Sequence, residues 1–120
     1  MVVKLKGDDI MKTIKYADEK LYITLGSYSY GGNLYVGMIT DKGEDFCDLS
    51  VNIPTYMLET DEEIIINGDT SNELVETLED LGILIDTYKV AFSGFGRYKV
   101  MIFNEEMAKD YIKFDYRNEE

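Results

Sequence analysis

The side chains that most often perform catalysis are nearly absent from this chain. It contains no histidine and a single cysteine, Cys47. Ser-His-Asp and Cys-His arrangements therefore cannot form, and neither can zinc sites built on histidine or on several cysteines. Two of the 24 acidic residues could run glycoside hydrolysis if one lay in an apolar pocket that raised its pKa. No spacing singles out such a pair, so we predict no enzymatic activity and rank an enzyme third.

Two short motifs resemble ligand-binding loops but fail the spacing tests. Gly94-Phe95-Gly96 lacks the third glycine of a dinucleotide loop, because Lys99 occupies that position, and it leads into a predicted strand instead of a helix. The oxygen-rich run that begins at Asn67 has Asn72 where a calcium loop requires glycine and Leu78 where it requires glutamate. Both are interpreted as turns, and we predict no cofactor and no metal site.

The negative charge is concentrated in the middle of the sequence. The whole chain has a net charge of −12. Residues 41–86 hold fourteen acidic residues against one base, Lys42, a net charge of −13, whereas the remainder has ten acidic and eleven basic residues, a net charge of +1. Such a charge repels nucleic acid and anionic lipid and attracts basic proteins. We expect a basic protein surface as the partner, with no direct nucleic-acid binding and no membrane binding.

Acidic residues predicted to face solvent are the candidates for binding that partner. A predicted helix turns Leu74, Leu78 and Leu81 toward the core and its carboxylates away from it. Those carboxylates recur at axial steps of about 4.5–6 Å, which are longer than the ~3.4 Å phosphate spacing along one DNA strand but of the same order. The acidic candidates are Asp61, Glu62, Glu73, Glu76, Glu79 and Asp80. A solvated face that only aids solubility is the simpler alternative.

Tyr28 and Tyr30 are the aromatic candidates for the same interface. They share parity with Tyr22 in the first predicted strand, so the three should face one side of the sheet. Cross-strand aromatic pairs are ordinary sheet stabilisers. Exposed tyrosines beside an acidic surface would instead be typical of a protein interface. A homodimer joined through this hairpin, or through an exposed sheet edge, is the alternative.

Six segments have the composition and turn punctuation of strands. They cover 21–30, 34–40, 45–53, 63–67, 83–92 and 97–103, and a further strand over 12–16 is an option. One predicted helix begins with Thr70 as N-cap in a capping box with Glu73 and ends at Gly82. A second begins at Asn104, and its predicted core face consists of Met107, Ala108, Tyr111 and Ile112. The sequence predicts an α+β fold, a mainly antiparallel sheet of five or six strands with two helices packed on one face.

The length indicates a single domain over residues 1–120. Residues 1–11 would be an extension if Met11 were the native start, and residues 115–120 are expected to form a frayed tail. The lone cysteine indicates a reducing compartment. The start lacks the apolar segment of a signal peptide, and no run approaches the ~18 apolar residues of a membrane span. We expect a cytoplasmic protein.

Two stretches of the chain are similar to a known pattern: residues 21–28 with 33–37, LYITLGSY and NLYVG, and residues 93–100, SGFGRYKV. They resemble an uncharacterised family of short acidic proteins from phages, plasmids and other mobile elements. The resemblance covers residues 20–114 and implies fold without assigning a catalytic residue. Small acidic proteins in that setting are often inhibitors of host defence, of the anti-CRISPR or antirestriction type.

The leading hypothesis from sequence is a non-enzymatic acidic inhibitor. It would dock on a basic nucleic-acid-handling protein, such as a CRISPR effector, through its 41–86 segment. The alternative is an accessory or assembly protein of a mobile element that acts through homo-oligomerisation.

Overall fold

The computed structural model describes residues 3–4 and 11–117. The remaining residues of the two terminal segments, including most of the extension considered above, lie outside the described residues. Within the described chain the elements follow the order β1 (Val3–Lys4), β2 (Ile14–Tyr16), β3 (Glu19–Ser27), β4 (Leu34–Thr40), β5 (Asp45–Asp48), β6 (Ser50–Val51), β7 (Glu63–Ile66), α1 (Asn72–Asp80), β8 (Leu84–Ser93), β9 (Gly96–Phe103), α2 (Glu105–Ala108), a 3₁₀ turn (Lys109–Tyr111) and β10 (Ile112–Asp115).

The α+β class is confirmed, with mostly antiparallel strands and two short helices. The strands form two sheets, however, where one was expected. The first is six-stranded, with the order β1-β10-β3-β4-β5 and β2 paired to β3. The second is four-stranded, with the order β6-β7-β9-β8. Every pairing is antiparallel except that of β10 with β3.

The crossing between the sheets lies within the segment predicted as one strand over 45–53. Leu49 separates β5 from β6: its N–H donates to Val36 O of the first sheet at 3.0 Å, and its carbonyl accepts from Asn67 N at 2.9 Å. Ser50 fixes the same corner, since its Oγ accepts from Val36 N at 2.9 Å. A composition that suits a strand does not tell which sheet the strand joins, so the sequence could not reveal this corner.

The larger apolar core contains side chains from both sheets and both helices. Alternation on β3 sends Leu21, Ile23 and Leu25 inward, all fully buried. A smaller second cluster lies on the other face of the four-stranded sheet, where Ile65 and Val100 pack with Ile53 of the β6–β7 connection. Both faces of the four-stranded sheet are therefore apolar, whereas the six-stranded sheet sends only one face into the larger core.

The caps of α1 confirm the predicted helix but correct its first residue. Thr70 was expected as the N-cap; the N-cap is Ser71, whose Oγ accepts from Leu74 N at 3.1 Å. Tyr16 adds a hydroxyl contact to Ser71 at 2.5 Å. At the other end Gly82 has φ +77°, the left-handed geometry that favours glycine at this position.

The last predicted helix is much shorter than expected. Asn104 is its N-cap, as predicted, and its side chain accepts from Met107 N at 3.2 Å. The helix ends at Ala108, and Ile112 already begins β10. Of the four predicted core residues, Ala108 and Ile112 are fully buried, but Met107 is half exposed. β10 continues to the buried Asp115, where a frayed tail was expected; residues 118–120 lie outside the described residues.

Candidate functional site

Helix α1 presents the largest group of predicted partner-binding carboxylates. Leu74, Val75 and Leu78 fill the larger core, so the acidic side of the helix faces outward. The carboxylate side chains of Glu73, Glu76 and Asp80 are exposed, and that of Glu79 is partly exposed. Among the described residues none of these four forms an ion pair. The helix therefore offers four negative charges that no described residue neutralises through an ion pair.

Asp61 and Glu62 lie on the turn that leads into β7, and both are exposed. The carbonyl of Glu62 accepts from Phe103 N at 2.8 Å, and the next residue, Asn104, donates its N–H to Ile83 O at 2.8 Å. Since Ile83 follows α1 by three residues, these two bonds bring the end of α1 and the 61–62 turn to the same end of the four-stranded sheet. The two groups of acidic candidates, which are separate in the sequence, therefore lie at one end of that sheet.

One carboxylate of the acidic segment is not available at the surface. Glu63 is 3% exposed and forms an ion pair with Lys89. Lys89 also contacts Glu59 at 3.0 Å. Burial alone would raise the pKa of Glu63, but hydrogen bonds from Lys89 and from the backbone of Glu59 and Thr60 outweigh it, so the pKa lies below its ordinary value. In the folded chain, a base from outside residues 41–86 therefore neutralises one carboxylate of that acidic segment.

Two further bases lie close to the start of α1. A depression of about 220 Å³ is lined by Asn72 and Val75 of the helix together with Arg97 and Lys99 of β9. Both bases are exposed, and neither forms an ion pair within the described residues. The first turn of α1 therefore lies beside positive as well as negative charges. The two bases share this depression with residues of the first half of the helix only.

The two candidate tyrosines have different environments. Tyr28 and Tyr30 were expected to share a strand face with Tyr22. β3 ends at Ser27, however, so both tyrosines belong to the turn. Tyr28 is half-buried; its hydroxyl lies 2.8 Å from Ser50 Oγ, and its ring meets Tyr35 edge to face at 5.6 Å. Burial raises the pKa of Tyr28. Tyr30 is 71% exposed and is the one free to meet a partner.

The outward side of the six-stranded sheet carries Tyr22 together with several residues that were not candidates from the sequence. Register pairs Tyr22 with Ile39, Thr24 with Gly37, and Gly26 with Tyr35. Phe114 pairs with Thr24, and Asp48 pairs with Gly37. We call this surface the open sheet face, because its side chains belong to neither apolar core. The alternation of Tyr22, Thr24 and Gly26 with the inward aliphatic residues was the available signal.

The hairpin of β8 and β9 exposes a second aromatic group. Tyr88, Phe92 and Phe95 are 89%, 62% and 108% exposed. β8 is the edge strand of its sheet, with β9 as its partner among the described residues. Arg97 lies over the Phe92 ring at 5.7 Å. Exposed aromatic residues on a sheet edge are features of interaction surfaces.

The described residues contain no group of three or more Cys, Asp or Glu side chains placed to hold a metal ion. In the same part of the chain, no helix has both the length and the apolar character needed to cross a membrane.

Comparison with known proteins places the chain in a family. Residues 22–118 match the family model described as Domain of unknown function (DUF4313). The chain belongs to that family. No curated protein and no solved structure matches it. The DUF4313 region begins in β3 and includes both helices and β10, while β1 and β2 precede it. All eight candidate partner-binding residues, and the open sheet face, lie within the DUF4313 region.

Proposed function

We propose that this DUF4313 protein is a non-enzymatic binding protein that docks on the basic surface of a nucleic-acid-handling protein and inhibits it. The supporting observation is the row of carboxylates on α1, exposed and without ion pairs among the described residues. The mobile-element origin and the anti-CRISPR or antirestriction type, expected from the family resemblance, are part of this proposal.

Charge complementarity is the physical basis of the docking. Concentrating like charges costs stability through self-repulsion, and the same field attracts an oppositely charged surface at long range. Asp61 and Glu62 lie at the end of the four-stranded sheet where α1 finishes, so they add two exposed negative charges at that end. Interactions of this kind associate fast and weaken with salt.

Inhibition would follow from occupying a groove that normally holds a phosphate backbone. The affinity of a protein for nucleic acid comes largely from Lys and Arg contacts to phosphates. The α1 carboxylates recur at axial steps of about 4.5–6 Å, so several of them can contact the same row of Lys and Arg side chains together. The basic surface would then be unavailable to DNA or RNA.

The test is a binding titration against purified basic effectors, CRISPR and restriction nucleases included, at several salt concentrations. The variant E73Q/E76Q/E79Q/D80N removes the α1 charges. The control D18N/E19Q/D41N/E44Q removes four exposed charges outside α1, for an equal change in net charge. We expect salt-sensitive binding that only the α1 variant loses. Salt-insensitive binding, or equal loss in both variants, would contradict the proposal.

A second function, assembly through homo-oligomerisation, is favoured by the exposed aromatic residues of the edge hairpin. Phe92 and Phe95 lie at the tip of that hairpin, and Tyr30 lies on a different turn. Light scattering across protein concentrations would detect a dimer. F92S/F95S should abolish it and Y30S should leave it intact if the edge hairpin forms the interface. A monomer at all concentrations would remove this alternative.

A further inference from the structure

The open sheet face contains a depression whose polar groups are mostly hydrogen-bond acceptors. It has a volume of about 210 Å³, and its side walls include Thr24, Tyr35, Ile39, Asp45 and Asp48. Gly37 lies beneath it, since a Cβ there would overlap the Tyr35 hydroxyl and lie 3.1 Å from Thr24 Oγ1. The absence of a side chain at Gly37 therefore creates the space into which the Tyr35 ring and the Thr24 hydroxyl project.

The polar atoms of this depression are mostly acceptors without partners. Tyr35 donates its hydroxyl to Asp48 Oδ1 at 2.6 Å. Within the described residues, Asp48 Oδ2 and both oxygens of Asp45 have no hydrogen-bond partner and no ion pair. Both carboxylates are exposed on β5. A ligand that donates several hydrogen bonds and carries positive charge would satisfy them together.

Thr24 supplies an independent indication of a ligand. Its residue is 7% exposed, yet its hydroxyl makes no hydrogen bond among the described residues. The Thr24 oxygen is not an enclosed atom, since among the described residues only Thr70 Oγ1 is fully buried without a hydrogen bond; the Thr24 oxygen lines the depression and stays accessible there. The hydroxyl points across Gly37 into the depression, where it can meet a group that the isolated chain does not provide.

The same sheet face already holds a cation from the chain itself. Lys113 Nζ lies 4.7 Å from the centre of the Tyr22 ring and 6.0 Å from that of Phe114. Tyrosine faces attract ammonium and guanidinium groups through the ring quadrupole. Lys113 occupies the Tyr22 side of the open sheet face, and the Asp45 side has no equivalent cation among the described residues. The open sheet face is therefore suited to binding cations, and its Asp45 side has no cation from the described residues.

We propose that this depression binds an arginine side chain on a basic segment of a partner protein. The guanidinium would meet the free oxygens of Asp45 and Asp48 and lie against Tyr35. Arginine fits better than lysine, because its planar fork carries five donors and stacks on aromatic rings. A metal ion is disfavoured, since no third carboxylate joins the two. The inference rests on the proposed function only in taking the partner to be a basic protein.

The test uses the isotope-labelled full chain, titrated at physiological salt with an Arg-Gly repeat peptide and with the matching Lys-Gly peptide. Saturable NMR shifts are expected at Thr24, Tyr35, Asp45 and Asp48, with tighter binding of the arginine peptide. D45N/D48N should weaken binding about tenfold. The control D41N/E44Q, an equal charge change on the adjoining turn, should keep it. Thermal melts verify that both variants fold.

Three outcomes would overturn the inference: shifts confined to α1, equal affinity for the two peptides, or equal loss in the control. The outcome for the proposed function is separate. If an effector still binds D45N/D48N but not the α1 variant, docking on a basic protein stands and the arginine site falls. If the arginine peptide binds the depression and no nucleic-acid-handling protein binds, the site stands and the proposed function falls.

Discussion

Lys89 of β8 forms an ion pair with the buried carboxylate of Glu63 on β7, diagonally across the intervening strand β9. Glu63 also accepts a hydrogen bond from Glu59 N at 2.7 Å through its other oxygen. The pair therefore ties the edge strand to the turn that precedes β7. The pair joins an acid of residues 41–86 to a base from outside that segment. It therefore stabilises the fold and is not part of the docking surface.

Replacing Glu63 with Gln should destabilise the fold. The change removes the charge that Lys89 neutralises and leaves a buried amide where a carboxylate accepted hydrogen bonds, so a loss of about 1–3 kcal/mol is expected. Chemical denaturation measures it. E62Q, on the neighbouring exposed residue, is the matched control and should change the free energy of unfolding by less than about 0.5 kcal/mol. Equal stability of E63Q and E62Q would show that the pair contributes nothing.

Acid should destabilise the wild-type protein more than E63Q. The pKa of Glu63 is lowered in the folded state, so its contribution is complete above its unfolded value of 4.5 and disappears as pH falls through the lower folded value. Asp115, whose pKa Arg117 lowers from 3.8, behaves in the same way. Denaturation at several pH values should therefore show the two proteins converging in stability as pH falls below 4.5. A constant difference would contradict the assignment.

The correction from Thr70 to Ser71 at the start of α1 leads to a paired prediction. S71A should cost about 1 kcal/mol, because it removes the cap to Leu74 N. T70V should be neutral or stabilising, since Thr70 Oγ1 is buried without a hydrogen-bond partner. Thermal or chemical denaturation of both variants distinguishes the two positions. If T70V lost more stability than S71A, Thr70 would be the energetically important residue after all.

The elements that were predicted correctly are those whose sequence signals lie within the element or in the turns beside it. β4, at Leu34–Thr40, and β7, at Glu63–Ile66, match their predicted spans closely, because turn residues and β-branched residues bound them. Gly82 and Asn104 act as the helix ends that their side chains suggest. Local chemistry is sufficient in each of these places.

The elements that were missed depend on pairing between distant segments. β10 was missed: Ile112 was predicted on a helix face and Asp115 in a frayed tail, yet both pair with the parallel strand β3, about ninety residues earlier. The depression at Asp45 and Asp48 is equally non-local, because register with β4 places Asp48 beside Gly37. Parity along β3 could have indicated an outward face at Thr24, but not which side chains of β5 complete it.

The two glycines of the open sheet face should respond differently to alanine. At Gly37 a Cβ would overlap the Tyr35 hydroxyl and press on Thr24 Oγ1, so G37A should displace Tyr35 and cost about 1–3 kcal/mol. At Gly26 the nearest atom would be 3.4 Å away, an ordinary contact, so G26A is the matched control. Denaturation gives the stabilities, and near-ultraviolet circular dichroism reports the tyrosines. Similar behaviour of the two variants would show that Tyr35 is not held over Gly37.

Cys47 should react slowly with thiol reagents in the native protein. Burial, together with a smaller effect of the nearby Asp48 carboxylate, raises the pKa of its thiol to about 11. The reactive thiolate is therefore scarce at neutral pH. Labelling with a disulfide reagent at pH 7 to 10 should be slow in the folded protein and fast in denaturant. A fast native reaction at pH 7 would contradict an unreactive, packed thiol. D48N should lower the thiol pKa and increase the native rate.

Tyr88 combines an unfavourable backbone with an exposed side chain, and the two can be separated by substitution. Its φ is +63°, in the left-handed region that costs an ordinary residue about 1 kcal/mol, and it lies in the irregularity of β8 opposite β9. Asp86 Oδ1 accepts from Tyr88 N at 2.8 Å and holds this conformation. Y88N should raise the free energy of unfolding by about 0.5–1 kcal/mol, because asparagine tolerates the left-handed region. F92N on the same strand should lower it. A loss of stability in Y88N comparable to that in F92N would show that the Tyr88 ring stabilises the edge strand more than its backbone strains it.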